Sequence, residues 1–126
     1  MAATVLVVDD DTETVRTFGG WLRLEGYQVR TAGNGQEALM QIAGADAIIL
    51  DLRMPILDGL GFLRQVRERH SRVPVAIVTG DYLVDESLLL EFRRLNAQVL
   101  FKPLWGDDLV TLATAMVEEA LVSNGL

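Results

Sequence analysis

The sequence predicts an α/β domain built on an open, doubly wound parallel sheet of five strands, with helices on both faces. Four short apolar runs and one alternating stretch, residues 27–32, are interspersed with segments whose apolar residues recur at helical spacing. The runs are nearly continuously apolar, as in strands that helices cover on both sides. Alternation of this kind, with right-handed crossovers, favours an open doubly wound sheet. No internal repeat, low-complexity segment or linker interrupts the pattern, so we expect one domain over residues 1–126.

The first half of the chain is expected to form three strands and two helices. A β-branched apolar run ends at three consecutive acids, and Asp11 or Thr12 then supplies a helix cap. Helical spacing continues to Gly26, a typical helix stop. A second strand leads through a Gly-Asn-Gly turn into a short helix, and a third apolar run stops abruptly at Asp51. The predicted strands cover residues 4–8, 27–32 and 46–50, and the second helix covers residues 36–43.

The second half repeats the alternation. A helix follows Gly59, and we expect the arginines on it and just beyond it, together with the single histidine His70, to face solvent. The fourth strand ends at Thr79 and the fifth at Lys102. Asp107 or Asp108 caps the last helix. The predicted strands cover residues 75–78 and 97–101, the helix between them covers about 84–95, and the solvent-facing arginines are Arg64, Arg67, Arg69 and Arg72.

The composition fits a folded domain and excludes several classes of site. The chain has 126 residues, of which 50% are hydrophobic and 23% charged, so a single core is expected. The absence of cysteine excludes disulfides, thiolate metal sites and cysteine nucleophiles. The net charge of -7 offers no electrostatic footprint for nucleic acid. No apolar run approaches the roughly 20 residues that span a bilayer, and no basic N-terminal region marks a secretory signal, so a cytoplasmic protein without membrane contact is expected.

Functional side chains follow the strands at the points where the strands end. Asp9 and Asp10 follow the first strand, Asp51 the third, Thr79 the fourth and Lys102 the fifth. The carboxyl ends of parallel strands share one edge, where open α/β sheets bind ligands. We therefore expect three carboxylates, one hydroxyl and one ammonium to meet there.

Three neighbouring carboxylates repel one another and need a cation. Because oxygen ligands without histidine or cysteine suit a hard ion, we expect Mg²⁺ or, as the alternative, Mn²⁺. Lys102 adds a second positive charge and Thr79 a hydroxyl donor. Such a set suits a phosphoryl group, with Asp51 as the carboxylate nucleophile.

Four short motifs carry a resemblance to a known family. They are Val7-Val8-Asp9-Asp10, the ten residues 50–59, Val78-Thr79-Gly80 and Phe101-Lys102-Pro103. Over essentially its whole length, the chain resembles a receiver domain of two-component response regulators. The resemblance implies a flavodoxin-like sheet of order 2-1-3-4-5 and a domain that catalyses only its own phosphorylation and dephosphorylation. It also implies that Asp51 accepts a phosphoryl group from a phosphohistidine on a histidine kinase or phosphotransfer protein.

The resemblance also assigns roles around Asp51. Asp10 and Asp51 would bind Mg²⁺ through their carboxylates, Arg53 through its backbone carbonyl, and Asp9 partly through water. Lys102 would contact the phosphoryl group, and Thr79 would move to hydrogen-bond it. Gly80 shares the switch segment with Thr79, and the loop after Asp51 is shaped by Met54, Pro55, Asp58 and Gly59.

The chain departs from the family pattern at several positions. Val99 stands where the family often has an aromatic residue coupled to the threonine, so a ring cannot rotate there. The segment from Thr79 to Lys102 is one residue longer than usual, and we place the extra residue in the 80–85 loop. Arg53 and Asp81 occupy positions that tune dephosphorylation in the family, and we expect them to form an ion pair across the site entrance.

The family also directs attention to a surface for partners. We expect Leu89, Arg93 and Val99 to belong to an interface with an effector domain, a partner protein or a second copy of the chain. For Trp105, we favour packing beneath the last helix over a place on that interface. Three alternatives to the phosphoacceptor remain open: an adaptor that works without phosphorylation, a Mg²⁺-dependent phosphohydrolase, and a flavin-binding module. Arg53 in place of a second acid disfavours the phosphohydrolase, and the acids at the strand ends disfavour flavin phosphate.

Overall fold

The computed structural model describes residues 2–69, 71–81 and 84–123. His70 and part of the 80–85 loop, for which the sequence made predictions, lie outside the described residues. Five strands form one parallel sheet in the order β2-β1-β3-β4-β5, which confirms the predicted order. The strands are β1 (Thr4–Val8), β2 (Gln28–Ala32), β3 (Ala47–Leu50), β4 (Val75–Thr79) and β5 (Ala97–Phe101).

Helices alternate with these strands and begin at capping side chains. In the first four helices an aspartate or asparagine accepts a backbone N–H of the first turn, which satisfies a donor that has no partner within the helix. The caps are Asp11, Asn34, Asp58 and Asp85. The helices are α1 (Thr12–Leu24), α2 (Gly35–Leu39), α3 (Gly59–Glu68), α4 (Glu86–Arg94) and α5 (Gly106–Ser123).

The core has two layers, one on each face of the sheet. Alternate strand residues such as Leu6 and Ile48 pack against α2, α3 and α4, with Phe62 buried among them. The intervening residues, such as Val7, pack against α1 and α5 on the other face, with Met116 buried there. This arrangement explains why the sequences of β1, β3 and β4 are almost entirely apolar, since both faces of these central strands are covered.

The second helix is shorter than predicted. α2 ends at Leu39, whereas the sequence pattern extended it to residue 43. The chain turns at Met40, and the guanidinium of Arg30 in β2 donates to the carbonyl oxygens of Gln41 and Ala43. A side chain of the neighbouring strand thus bonds carbonyl groups that the prediction had placed in the helix.

Trp105 is not buried beneath the last helix, so that prediction is wrong. Its side chain is 70% exposed. The ring of Trp21 on α1 already lies against Gly106, where an added Cβ would come within 2.4 Å of the ring. Because Trp21 occupies the space under the start of α5, Trp105 is left on the surface.

The prediction that all four arginines near α3 face solvent is also wrong for one of them. Arg67 is partly buried, and its guanidinium donates to backbone carbonyl groups that precede β4 and β5. Two of those carbonyl groups, of Leu95 and Asn96, belong to a turn distant in sequence, which the helical pattern of α3 cannot reveal. Among the described residues, no helix is long and apolar enough to cross a membrane.

Candidate functional site

Backbone hydrogen bonds place the predicted functional residues at the carboxyl edge of the sheet. The N–H of Asp51 donates to the carbonyl oxygen of Val8 over 2.9 Å, which extends the β1–β3 pairing by one residue. The N–H of Lys102 donates to the carbonyl oxygen of Thr79 over 2.8 Å, which extends the β4–β5 pairing in the same way. The strand ladder therefore fixes the main chain from which both side chains project.

Three carboxylates meet at this edge. Asp9, Asp10 and Asp51 each offer an oxygen, and these oxygens all lie within 4.8 Å of one another. Asp9 is buried, Asp51 is partly buried and Asp10 is exposed, so the cluster opens to solvent on one side. Because every donor is a carboxylate oxygen, the set fits a hard divalent cation such as Mg²⁺ or Mn²⁺.

The ammonium of Lys102 lies inside the same cluster. Its Nζ is 2.9 Å from Asp9 Oδ2 and 3.8 Å from Asp51 Oδ1. Burial lowers the pKa of Lys102, but its hydrogen bond to Asp9 and the charges of Asp9 and Asp51 outweigh that effect and raise the pKa overall. Lys102 is therefore a permanent cation at this edge.

Asp9 is held from both sides. One of its oxygens accepts the Lys102 ammonium, and the other accepts the backbone N–H of Asp11 over 2.9 Å. The sequence pattern indicates Asp11 only as a helix cap, although an aspartate that accepts the N–H two residues later, as Asp9 does here, is a common local motif. Asp11 thus has two roles, since its own side chain also caps α1.

The carboxyl group of Asp51 is unusually basic. Burial, joined by the charge of Asp9, raises its pKa from 3.8 to about 6, and the charge of Lys102 opposes the rise. A carboxylate with a raised pKa is the better nucleophile of its type, provided that a nearby cation keeps it ionised. Asp51 is thus the carboxylate of this cluster whose pKa is raised by burial and by a neighbouring charge.

Thr79 lies beneath the loop that follows β4. Its side chain is only 1% exposed, and its Oγ1 accepts the N–H of Asp81 over 3.1 Å. Gly80, between them, is exposed. The hydroxyl that the sequence assigns to the phosphoryl group is therefore engaged by its own loop in this structure.

Arg53 and Asp81 form an ion pair between two loops. Arg53 donates to Asp81 Oδ2 from Nη2 over 2.6 Å and from Nε over 3.1 Å. The Arg53 side chain is 67% exposed and that of Asp81 25%. This contact joins the loop after β3 to the loop after β4, as the sequence analysis expected of this pair.

The loop between β3 and α3 is tight. Gly59 approaches Asp51 so closely that a Cβ would come within 2.8 Å of the Asp51 carbonyl oxygen. Asp58 caps α3 through the N–H of Gly61, and Met54 packs on the edge of the core. The loop-shaping roles of Met54, Pro55, Asp58 and Gly59 stay a prediction.

Ile56 has an unusual backbone conformation that was not predicted from the sequence. Its φ is 71°, and the N–H of Leu57 donates to the carbonyl oxygen of Pro55 across it over 2.8 Å. Positive φ is strained for a β-branched residue, and the side chain of Ile56 is 79% exposed. Its place between Pro55 and Asp58, in a turn motif, was the signal that could have predicted this backbone.

The expected interface residues lie on α4, on β5 and just before α5. Leu89 and Arg93 are exposed on α4, and Trp105 is exposed before α5. Val99 on β5 is partly buried and packs against the core layer that contains α4. Leu90, at 50% exposure, adds apolar surface to α4.

The chain is similar in sequence to a known family and to curated proteins. The sequence model of the response regulator receiver domain family matches residues 5–114. The transcriptional regulatory protein PrrA of Mycobacterium tuberculosis is 40% identical over 84 residues, which are 65% of this chain and 36% of PrrA. The response regulator MprA of Mycobacterium bovis is 40% identical over 88 residues, which are 68% of this chain and 38% of MprA. The chain thus spans well under half the length of these curated relatives.

A solved structure extends the likeness to three dimensions. The chemotaxis protein CheY4 of Vibrio cholerae superposes with a TM-score of 0.82 at 30% sequence identity. The superposition covers 92% of this chain and 99% of CheY4. The sheet order and the placement of helices on both faces are therefore shared with a protein of known structure.

Proposed function

The chain belongs to the response regulator receiver domain family, and on that premise we propose that Asp51 accepts a phosphoryl group from a phosphohistidine on a histidine kinase or phosphotransfer protein. The observation that carries the proposal is the position of Lys102, whose ammonium lies 3.8 Å from Asp51 within the cluster of three carboxylates. Phosphoryl transfer needs a nucleophile and fixed positive charge around the transferred group. The carboxyl edge of the sheet supplies both.

Asp51 performs the chemistry. One of its carboxylate oxygens attacks phosphorus, the bond from phosphorus to the donor's imidazole nitrogen breaks, and an acyl phosphate forms. The raised pKa of Asp51 favours this attack. Subsequent attack of water on the phosphorus breaks its bond to the Asp51 oxygen, releases inorganic phosphate and restores the carboxylate, so the domain catalyses only its own phosphorylation and dephosphorylation.

Asp10, Asp51 and the backbone carbonyl of Arg53 would hold the divalent cation, with Asp9 contributing partly through water. When bound, Mg²⁺ or Mn²⁺ neutralises charge on the phosphoryl oxygens. Lys102 supports the same function, because its ammonium can leave Asp9 for a phosphoryl oxygen nearby.

The charge of the phosphoryl group drives the proposed conformational switch. A phosphoryl group adds about 1.5 to 2 negative charges at Asp51. Lys102 and the hydroxyl of Thr79 are drawn towards it, and Thr79 leaves the N–H of Asp81 to which it now bonds. The loop beginning at Gly80 moves with Thr79 and biases α4 and β5 between two arrangements.

The output surface includes Leu89, Arg93, Val99 and Trp105. Its partner is an effector domain, in the same chain or in another protein, and a second copy of the chain is the alternative occupant. The names of the relatives, a transcriptional regulatory protein and a response regulator, support an effector of this kind. We place the domain in the cytoplasm without direct contact to membrane or nucleic acid, in keeping with its net charge of -7.

Arg53 and Asp81 control the lifetime of the phosphoryl group. Their ion pair joins the loop after β3 to the loop after β4, and we expect it to hinder the approach of water to Asp51. A longer-lived acyl phosphate is the expected result.

Intact mass spectrometry tests the proposal. The protein is incubated with Mg²⁺ and acetyl phosphate, and a mass increase of one phosphoryl group is expected. Asp51→Asn keeps the size of the side chain and removes the nucleophile, so the increase should vanish in this variant. Asp108→Asn, which removes an exposed acid of α5, is the matched control and should be phosphorylated like the wild type. An unmodified wild-type protein would refute the proposal.

An adaptor that binds its partner without phosphorylation is the second candidate. It is favoured by Val99, which is partly buried and lacks the ring that couples the switch in many relatives. Under this reading, partner binding would be equally strong for the wild type and for Asp51→Asn, with or without acetyl phosphate. Stronger binding after phosphorylation would reject the adaptor.

A further inference from the structure

A second cleft lies at the opposite edge of the sheet, where the strands begin. Its volume is about 460 Å³, and it opens between the segment that precedes β4 and the turn that precedes β5. We call it the arginine cleft. It is lined by Arg67, Ser71, Arg72, Arg94, Leu95 and Asn96.

Arg67 forms the floor of the arginine cleft. Its guanidinium donates to the carbonyl oxygens of Leu95 over 2.8 Å, Val73 over 2.7 Å, Ser71 over 3.0 Å and Asn96 over 3.4 Å. These bonds use four of the five N–H donors of a guanidinium. These carbonyl oxygens would otherwise repel an anion in the cleft, and their hydrogen bonds to the Arg67 guanidinium reduce that repulsion.

The positive charge of Arg67 is not neutralised by direct contact with an acid. Within the described residues, no carboxylate oxygen lies within 4.0 Å of its guanidinium. Glu119 acts on it from a distance and lines the adjoining cleft together with Arg93. Buried charges are ordinarily paired, so a partly buried guanidinium bonded to neutral carbonyl groups leaves net positive charge in the cleft.

Arg72 and Arg94 add to this charge. Both are exposed at the mouth of the cleft, and the described residues contain no carboxylate in salt-bridge contact with either. Arg53 and Arg64, by contrast, pair with Asp81 and Glu91. The lining of the cleft thus holds three arginines and no acid, in a chain whose net charge is -7.

We propose that the arginine cleft binds a small, soluble, phosphate-bearing anion. Guanidinium groups match phosphate oxygens with paired N–H donors, which makes arginine the preferred residue for such ligands. The volume lies within the range of small-molecule sites and exceeds what one inorganic phosphate fills, so a diphosphate or a nucleotide fits best. Arg72 and Arg94 donate hydrogen bonds to the phosphate oxygens, and the charge of Arg67 adds to the attraction for the anion. The site is independent of phosphorylation at Asp51.

Titration of the whole chain with pyrophosphate, and separately with ADP, tests the proposal. EDTA is present so that neither ligand is recruited as a metal complex at the carboxylates. Backbone amide resonances are followed by NMR, and the largest shifts are expected at residues 71, 72 and 94–96. The double variant Arg72→Ala/Arg94→Ala should bind at least about tenfold more weakly, since hydrogen bonds between charged groups are lost.

The matched control is Arg16→Ala/Arg23→Ala, which removes two exposed arginines of α1 and changes the net charge by the same amount. It should bind like the wild type. Equal weakening in both double variants would show a general charge effect and overturn the proposal, as would shifts confined to the carboxyl edge or no saturable binding. Binding to vesicles with and without phosphatidic acid is also measured. Binding to vesicles that contain phosphatidic acid, without binding to pyrophosphate or ADP, would also overturn the proposal. Both variants replace exposed side chains, so circular dichroism should confirm that they fold.

Discussion

Replacing Asp51 with asparagine should stabilise the metal-free protein. The ionised carboxylate of Asp51 is partly buried beside Asp9, and this environment raises its pKa from 3.8 to about 6. A raised pKa means that folding disfavours the ionised form, so the wild type loses stability when Asp51 is charged. Asparagine keeps the size of the side chain and removes the charge.

The expected gain follows from the pKa shift. About two pKa units at about 1.4 kcal/mol each correspond to about 3 kcal/mol. Solvent screening on the open side of the site and the lost attraction to Lys102 reduce this value, so we expect a gain of about 1 to 2 kcal/mol at pH 7.

The pH dependence has a definite sign. The folded protein binds a proton at Asp51 more tightly than the unfolded chain, so the stability of the wild type falls as the pH rises from about 3.8 to about 6. The difference between Asp51→Asn and the wild type should therefore be small near pH 4 and complete by pH 7.

Urea denaturation in EDTA, followed by circular dichroism between pH 4 and 8, measures this difference. Asp108→Asn is the control, because it removes the same charge from an exposed position and should lose no more than a few tenths of a kcal/mol. Added Mg²⁺ should stabilise the wild type more than Asp51→Asn, because binding to the folded state alone raises its stability. If Asp51→Asn were no more stable than the wild type at pH 7 without metal, the electrostatic reasoning about the site would be refuted.

Three further predictions concern the loops around the site. The double variant Arg53→Ala/Asp81→Ala should lose its phosphoryl group several times faster than the wild type after the phosphodonor is removed, as measured by intact mass; an unchanged rate would exclude shielding by the ion pair. Ile56→Asn should raise the free energy of unfolding by about 1 kcal/mol, since asparagine tolerates positive φ. Ile56→Ala, which keeps a Cβ at positive φ, should raise the free energy of unfolding by less. An equal rise would show that the exposed isoleucine side chain, and not the backbone conformation, destabilises the wild type. Asp58→Ala should destabilise by about 1 kcal/mol through loss of the α3 cap, and unchanged stability in urea would contradict that capping role.

The strands and the carboxyl edge could be predicted from the sequence because their causes are local. A strand covered on both faces must be continuously apolar, and an acid directly after it must lie at the edge. Thus Asp51 and Lys102 were placed correctly without any knowledge of their neighbours.

Features that depend on contacts between distant segments could not be predicted. Trp105 is exposed because Trp21 occupies the space beneath α5, and α2 is short because Arg30 bonds the carbonyl groups beyond it. Arg67 carries the same helical pattern as its solvent-facing neighbours, and its burial becomes evident once the turn before β5 is placed beside it. Each of these outcomes depends on contacts between segments that are distant in sequence.

The contacts of Arg67 also determine how α4 can move. The carbonyl groups of Leu95 and Asn96, at the C-terminal end of α4, are tied through Arg67 to the end of α3 and the entry to β4. In the proposed switch, a displacement would start in the loop after Thr79 and reach the helix at its other end, near Asp85. We therefore expect the helix to tilt about Leu95 rather than to slide along the sheet. Over the nine residues of α4, a tilt of about 10° moves the free end by about 2 Å and leaves the anchored end in place.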